Sequence, residues 1–211
     1  MLNHLIGGTP SYARGMRWEQ LFDDLTGELV AEERRELEAE VADRARRELA
    51  AVALVDRLRA AQGGPGEPAV DVELHLGRER VLRGGVVDCA AQWVLLSVPR
   101  EVGGSGRALV PLGAVIGVRG LPRRSRPARS PVADRRSLGS ALRALAVARC
   151  PVQVLLRRGG VEGAGLLHGT LERIGADHVD VGEHPVGELP ARAGRVTTVV
   201  LEDLAAVLDR S

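Results

Sequence analysis

Lysine is missing altogether: all 29 basic residues of this chain are arginine. Set beside the excess of alanine and glycine, this reads as codon composition rather than as a functional use of arginine. Aromatic residues make up only 2%, namely Tyr12, Trp18, Phe22 and Trp93. The core must therefore be built from valine, leucine and alanine. Single-strand nucleic-acid binding by base stacking also lacks its platforms, since it needs aromatic side chains on the binding face. Cysteine is limited to Cys89 and Cys150, with no CxxC pair. Two cysteines could pair with each other, but nothing suggests a secreted disulfide framework, and both residues read as small hydrophobes buried in strands. The first residues, "MLNHLIGGTPSYARG", have no charged stretch followed by a long apolar one, and no run approaches membrane-spanning length. The expected setting is the cytoplasm, with no membrane contact.

Catalytic signatures are missing as well. There is no Gly-x-Ser-x-Gly, no cysteine–histidine pairing and no isolated carboxylate pair. The glycine clusters "VEGAGLLHG" and "VGGSGRA" lack the strand–loop–helix setting of a phosphate-binding loop and read as hairpin turns. The expectation is a protein that is not an enzyme and carries no cofactor. His168, His178 and His184 fall near Asp177, Asp180 and Glu183, but without ligand spacing they are only weak metal candidates beside solvent-facing imidazoles.

What is present is a globular composition: 211 residues, 45% hydrophobic, 27% charged, net charge +1. The charge is unevenly placed. Residues 17–61 hold eight arginines against twelve acids, whereas residues 119–136 hold seven arginines against one aspartate. Trp18, Leu21, Phe22 and Leu25 form a helical stripe, which Thr26-Gly27 is expected to interrupt. A second helical stretch is predicted from about Glu28 to Ala61, with Glu40 above Arg44 and Asp43 above Arg47. "GGPGEP" (63–68) ends the helical region.

Beyond it the period changes to two. Val70, Val72, Leu74 and Leu76 alternate with Asp71, Glu73 and His75, predicting a half-buried strand. A second strand crosses Gly84-Gly85, a third begins at Trp93, and "ALVPLGAVIGV" reads as two strands split by a tight turn. Trp93 is expected in the core of this first unit. Then the pattern restarts. "GGVVDCAAQWVLL" (84–96) is answered by "GTLERIGADHVDV" (169–181), "VDVEL" by "VQVLL" (152–156), and "VPLGAVIGV" by "VVLEDLAAV" (199–207). A unit of one helix and about five strands has been written twice.

This unit resembles the Sm-like small barrel of the SH3-like type. "VDVELHLGRERVLRGGVVDCAAQWVLL" is similar to the first Sm motif, and "GTLERIG" in the second copy more so. The arrangement is also similar to two-barrel proteins of high-GC Gram-positive bacteria. The Asp-x-apolar-Asn signature of RNA-binding members is absent, because "AAQW" and "GADH" stand in its place. The resemblance implies an α+β chain with an N-terminal helical arm and two five-stranded barrels, each preceded by a short helix. The expected boundaries are a flexible N-terminus over 1–16, the arm over 17–62, and a first barrel over 63–118. An Arg/Pro-rich linker follows over 119–136, then a second barrel with its leading helix over 137–211. A flexible linker of that length spans roughly 20–25 Å root-mean-square.

Two functions follow from these features. The first is a non-enzymatic binding or scaffold protein, contacting an unidentified protein partner or itself through the arm and the barrel edges. The second is an RNA- or DNA-binding regulator using Arg119, Arg123, Arg124, Arg126, Arg129, Arg135 and Arg136 of the linker together with a barrel face, since clustered arginines neutralise phosphates. Against the second stand a solvated linker and pairing of those arginines with the acidic 28–48 helix.

Overall fold

The computed structural model describes residues 12–64, 67–77, 80–100, 103–128, 130, 135–158, 165–184 and 194–209, with side chains from residue 25 onward. It divides into two units, Met1–Val52 and Ala53–Ser211.

The first unit is helix α1, Tyr12–Ala50. It starts inside the stretch expected to be flexible and runs unbroken through Thr26-Gly27, against expectation. A glycine inside a helix costs about 1 kcal/mol relative to alanine, too little to stop a helix flanked by Glu, Leu, Arg and Ala. The chain leaves the helix instead around Ala51–Ala53, where Ala53 is extended. Along α1, Arg35 pairs with Glu32, Arg44 with Glu48 rather than Glu40, and Arg46 with Asp43. All described side chains from Leu25 to Ala50 are exposed, Leu29, Leu37, Val41 and Leu49 among them. No helix of the described residues is long and apolar enough to cross a membrane.

The second unit opens with α2, Leu54–Ala61, which buries Leu58 and Ala61 and packs on strand β2. Five strands follow: β1 Asp71–Leu76, β2 Arg80–Ala90, β3 Trp93–Pro99, β4 Ser105–Pro111 and β5 Val115–Arg119. The alternation read in β1 holds, with Val72, Leu74 and Leu76 buried. A single 3-10 turn, Leu112–Ala114, separates β4 from β5. The second half repeats this. Helix α3, Leu138–Ala148, is capped by the Ser137 hydroxyl accepting from the Ser140 amide, buries Leu142 and packs on β7. Then come β6 Val152–Leu156, β7 Leu166–Ile174, β8 His178–Glu183 and β9 Arg195–Val200. A 3-10 turn over Leu201–Asp203 leads into β10, Leu204–Asp209.

The two halves match in register as well as order. Gly85 faces Ser97 as Thr170 faces Gly182, and the register shifts at Val86/Asp88 and at Leu171/Arg173, the same place in each copy. Gly84 and Gly169 are the shared glycines for one reason. A Cβ on Gly84 would strike the Ser97 carbonyl oxygen, and one on Gly169 the Gly182 carbonyl oxygen. The first-strand echo needs a correction of two residues. Leu74 faces Val118 while Val154 faces Val207, so Leu74 corresponds to Val154 and not to Leu156. A two-residue slip leaves the same side chains on the same face, so the alternation could not reveal it.

The chain is thus α+β, but two separate barrels on a tether are not what the strand pairing shows. All ten strands form one open antiparallel sheet in the order β5-β1-β2-β3-β4-β10-β6-β7-β8-β9. The halves join where β4 meets β10, with Val207 opposite Leu109 and Leu208 opposite Ala108. This junction pairs the backbone of two edges that would otherwise face water or a stray strand. It also mixes the cores. Ala205 and Ala206 of β10 pack in the first core, while Ala90, Trp93 and Leu109 pack in the second. Trp93 therefore belongs to the second core, not to its own half's.

Candidate functional site

Trp93 opens β3 beside the junction, 5% exposed. Its indole nitrogen donates to the Arg136 carbonyl oxygen at 3.1 Å, and the Arg136 guanidinium sits 5.0 Å from the ring centroid. The same guanidinium forks onto Asp88 at 2.6 and 2.9 Å. Asp88 ends up held from three sides, since the Cys89 amide also donates to it at 2.8 Å. The Arg136 bond holds its carboxyl below the usual aspartate range, partly opposed by burial. The partner shifts the other way, and the Asp88 bond raises Arg136.

Next to this corner lies a groove of about 310 Å³ between α3 and the faces of β3 and β4. Trp93, Leu95, Leu109, Ala141, Ala144 and Leu145 line it, with Arg136 and Ser140 completing the wall. It is large enough for an apolar side chain and offers little polar specificity.

The arginine segment is tied down along much of its described length. Arg124 pairs with Glu67 at 2.8 Å and holds that carboxyl below its ordinary value. The Arg126 amide donates to the Asp56 carbonyl oxygen, and its guanidinium donates to the Gly63 carbonyl oxygen and lies 3.7 Å from Glu67. Arg57 on α2 reaches back to the carbonyl oxygens of Leu121 and Pro122. The segment is therefore no free spacer over residues 121–126. Three of the seven candidate arginines, Arg124, Arg126 and Arg136, are held by Glu67 and Asp88, not by the acidic helix. Arg119, Arg123 and Arg135 are exposed, and Arg129 lies outside the described residues.

The histidines do not converge. His184 follows β8 and its amide donates to the His168 carbonyl oxygen at 3.2 Å, which brings those two residues together. His178 opens β8 at the far end, opposite Val200, and pairs with Asp177 at 2.9 Å. Among the described residues no group of three or more His, Cys, Asp or Glu could hold a metal. Of the cysteines, Cys89 is buried as expected, while Cys150 is half-buried and precedes β6.

Sequence reasoning named barrel edges as contacts without saying which strands carry them, and it missed the junction. Among the described residues β5 and β9 each have a neighbour on one side only. Ile116 on β5 is 74% exposed, and Val196 and Val200 on β9 are each 50% exposed. The signal was available in the doubled unit. Two copies of an open five-strand order carry four edges, and one junction uses two of them.

Neither a protein-family model nor a curated protein matches the chain.

Proposed function

We propose that this chain is a non-enzymatic, cytoplasmic binding protein that works through protein–protein contacts, its sheet being two Sm-like small barrels fused along one edge. Support for the Sm-like part comes from the strand order that each half repeats: fifth, first, second, third, fourth. A leading helix on the second strand, a glycine-bent second strand and a one-turn helix before the fifth strand agree with it.

The observation that carries the binding reading is the open sheet. Among the described residues its terminal strands β5 and β9 are each paired on one side only, and both carry large exposed apolar side chains. Natural sheets usually blunt such edges with charge or proline, and an edge left apolar accepts another strand. The groove beside Trp93 adds an anchor point for a partner's apolar side chain. Leu29, Leu37, Val41 and Leu49 on α1 are exposed and offer further apolar contacts.

RNA or DNA is the weaker reading, because Arg124, Arg126 and Arg136 are already engaged by carboxylates. Capture of proteins from nuclease-treated lysate tests the choice, with wild type compared against Ile116→Glu and Val196→Glu. Protein capture that one of these changes abolishes supports the reading. Capture of no protein, or of nucleic acid alone, refutes it.

A further inference from the structure

We propose that Ser125 is a phosphorylation site, and that its phosphoryl group draws Arg124 and Arg126 off Glu67 and so unfastens residues 121–126 from α2. The inference does not rest on the binding reading of the sheet edges.

Residues 121–126 form a strap that belongs to neither helix nor strand. Arg57, in the first turn of α2, holds one end of it by donating to the carbonyl oxygens of Leu121 and Pro122 at 3.5 and 3.1 Å. At the other end the Arg126 amide donates to the Asp56 carbonyl oxygen at 2.9 Å, and its guanidinium donates to the Gly63 carbonyl oxygen. Arg124 and Arg126 both close on one carboxylate, Glu67, at 2.8 and 3.7 Å. That carboxylate is 45% exposed, so this fastening is weak and open to competition.

Ser125 stands between those two arginines. Side chains two apart that reach the same carboxylate turn the residue between them outward, and Ser125 is exposed. Arg123 and Arg124 come directly before it and Arg126 directly after. Ser130 and Ser137 also follow an arginine. The Ser137 hydroxyl is committed to the Ser140 amide at the start of α3, and the neighbouring Leu138 amide donates to Gln92. Ser130 is half-buried. Of the three, Ser125 offers an exposed hydroxyl on backbone that can be lifted into an enzyme's groove.

The enzyme that fits is a serine kinase whose peptide groove is lined with carboxylates, complementary to three arginines within two residues of the hydroxyl. The donor is a nucleoside triphosphate. The Ser125 Oγ–P bond forms as the γ-phosphorus parts from its bridging oxygen, the nucleoside diphosphate leaves, and the hydroxyl proton passes to the kinase's base.

A serine phosphate carries roughly −1.5 to −2 charge at neutral pH and three acceptor oxygens, against the single charge of Glu67. Guanidinium groups bind it in bidentate fashion, so Arg124 and Arg126 change partner. Glu67, whose carboxyl Arg124 holds below its ordinary value, is then left beside a second anion with its own cation withdrawn. Arg57 touches only backbone oxygens of the strap and keeps its hold, and Leu121 stays packed on the first core. The strap therefore opens from the Arg126 end.

The test of the site is phosphopeptide mapping of the full chain recovered from its own cells with phosphatase inhibitors present, and again after incubation with ATP and an extract of those cells. Phosphate is expected on Ser125 and absent in Ser125→Ala, a change at an exposed position. The test of the unfastening is hydrogen exchange of the full chain carrying phosphoserine at position 125, installed during translation, against the unmodified chain. The Arg126 amide should exchange about fivefold faster or more, while the Leu58 amide within α2 is unchanged. Glu67→Gln, which weakens the same fastening without a phosphate, should speed the Arg126 amide in the same direction.

Phosphate on Ser130 or Ser137 but not on Ser125, or on no serine of the segment, overturns the site. Phosphoserine at 125 that leaves the Arg126 amide as slow as before overturns the unfastening.

Discussion

Replacing Arg136 by alanine tests whether the arginine segment is a structural clasp or a loose spacer. The fork onto Asp88 is well formed, but the two side chains are 43% and 36% exposed. Solvent screening then limits the pair to about 1 kcal/mol despite its bidentate geometry. Stacking over Trp93 adds about 0.5–1 kcal/mol. The carbonyl that accepts from the indole belongs to the backbone and survives the change. The expected loss is therefore about 1.5–2 kcal/mol at neutral pH, a factor of roughly 10–30 in the folding equilibrium. Urea unfolding followed by circular dichroism reads it, and the emission of Trp93 should shift to the red in the folded variant.

The pH dependence separates the two contributions. Asp88 is depressed in the folded state, so its share of stability is complete above the ordinary aspartate value near about 4 and is lost as pH falls through the lower folded value. Arginine stays charged throughout, so the stacking share persists. The gap between wild type and variant should shrink by about half between pH ~5 and ~2, leaving the stacking part. A gap below about 0.5 kcal/mol at neutral pH, within the usual scatter of surface changes, would refute the clasp. A gap that does not change with acid would refute the assignment of the ion pair.

Gly84→Ala and Gly169→Ala should each cost at least about 3 kcal/mol, because the new methyl meets a neighbouring strand's carbonyl oxygen and neither backbone can yield cheaply. Gly117→Ala is the control: no atom lies near its Cβ position and Ala206 occupies the equivalent place, so thermal melting should move by less than about 0.5 kcal/mol. Leu142→Ala removes the one fully buried side chain of α3 and should cost about 2–5 kcal/mol in urea unfolding. Labelled RNA or DNA should show no shift with the protein at low salt. A shift that fades steeply with salt and vanishes in the Arg123/Arg124/Arg126-to-Ala variant would restore the nucleic-acid reading.

Local rules made much of this chain readable. The alternation in Val72–Leu76 states which face of β1 is buried, because side chains of a strand point to opposite faces in turn. Gly84 and Gly169 mark the bent strand in each copy, because any larger residue collides there. The candidate site was far less legible. Asp88 and Arg136 lie 48 residues apart, and nothing in either neighbourhood names the other. The same holds for Arg124 with Glu67, at 57 residues. Gly27 looked like a break and is none, since one residue's propensity is outweighed by the many helix formers around it.

By itself, then, the order of residues determined a repeated strand-rich unit, the inward faces of its strands, its turns and its leading helices, all of which depend on neighbours a few positions apart. Only the tertiary structure decided that the copies share one sheet, that Trp93 serves the other half's core, and which edges remain open. Backbone hydrogen bonds at a strand's edge are the same for every residue type but proline. Which edge meets which is settled by the whole surface brought together, and no short stretch of sequence records that.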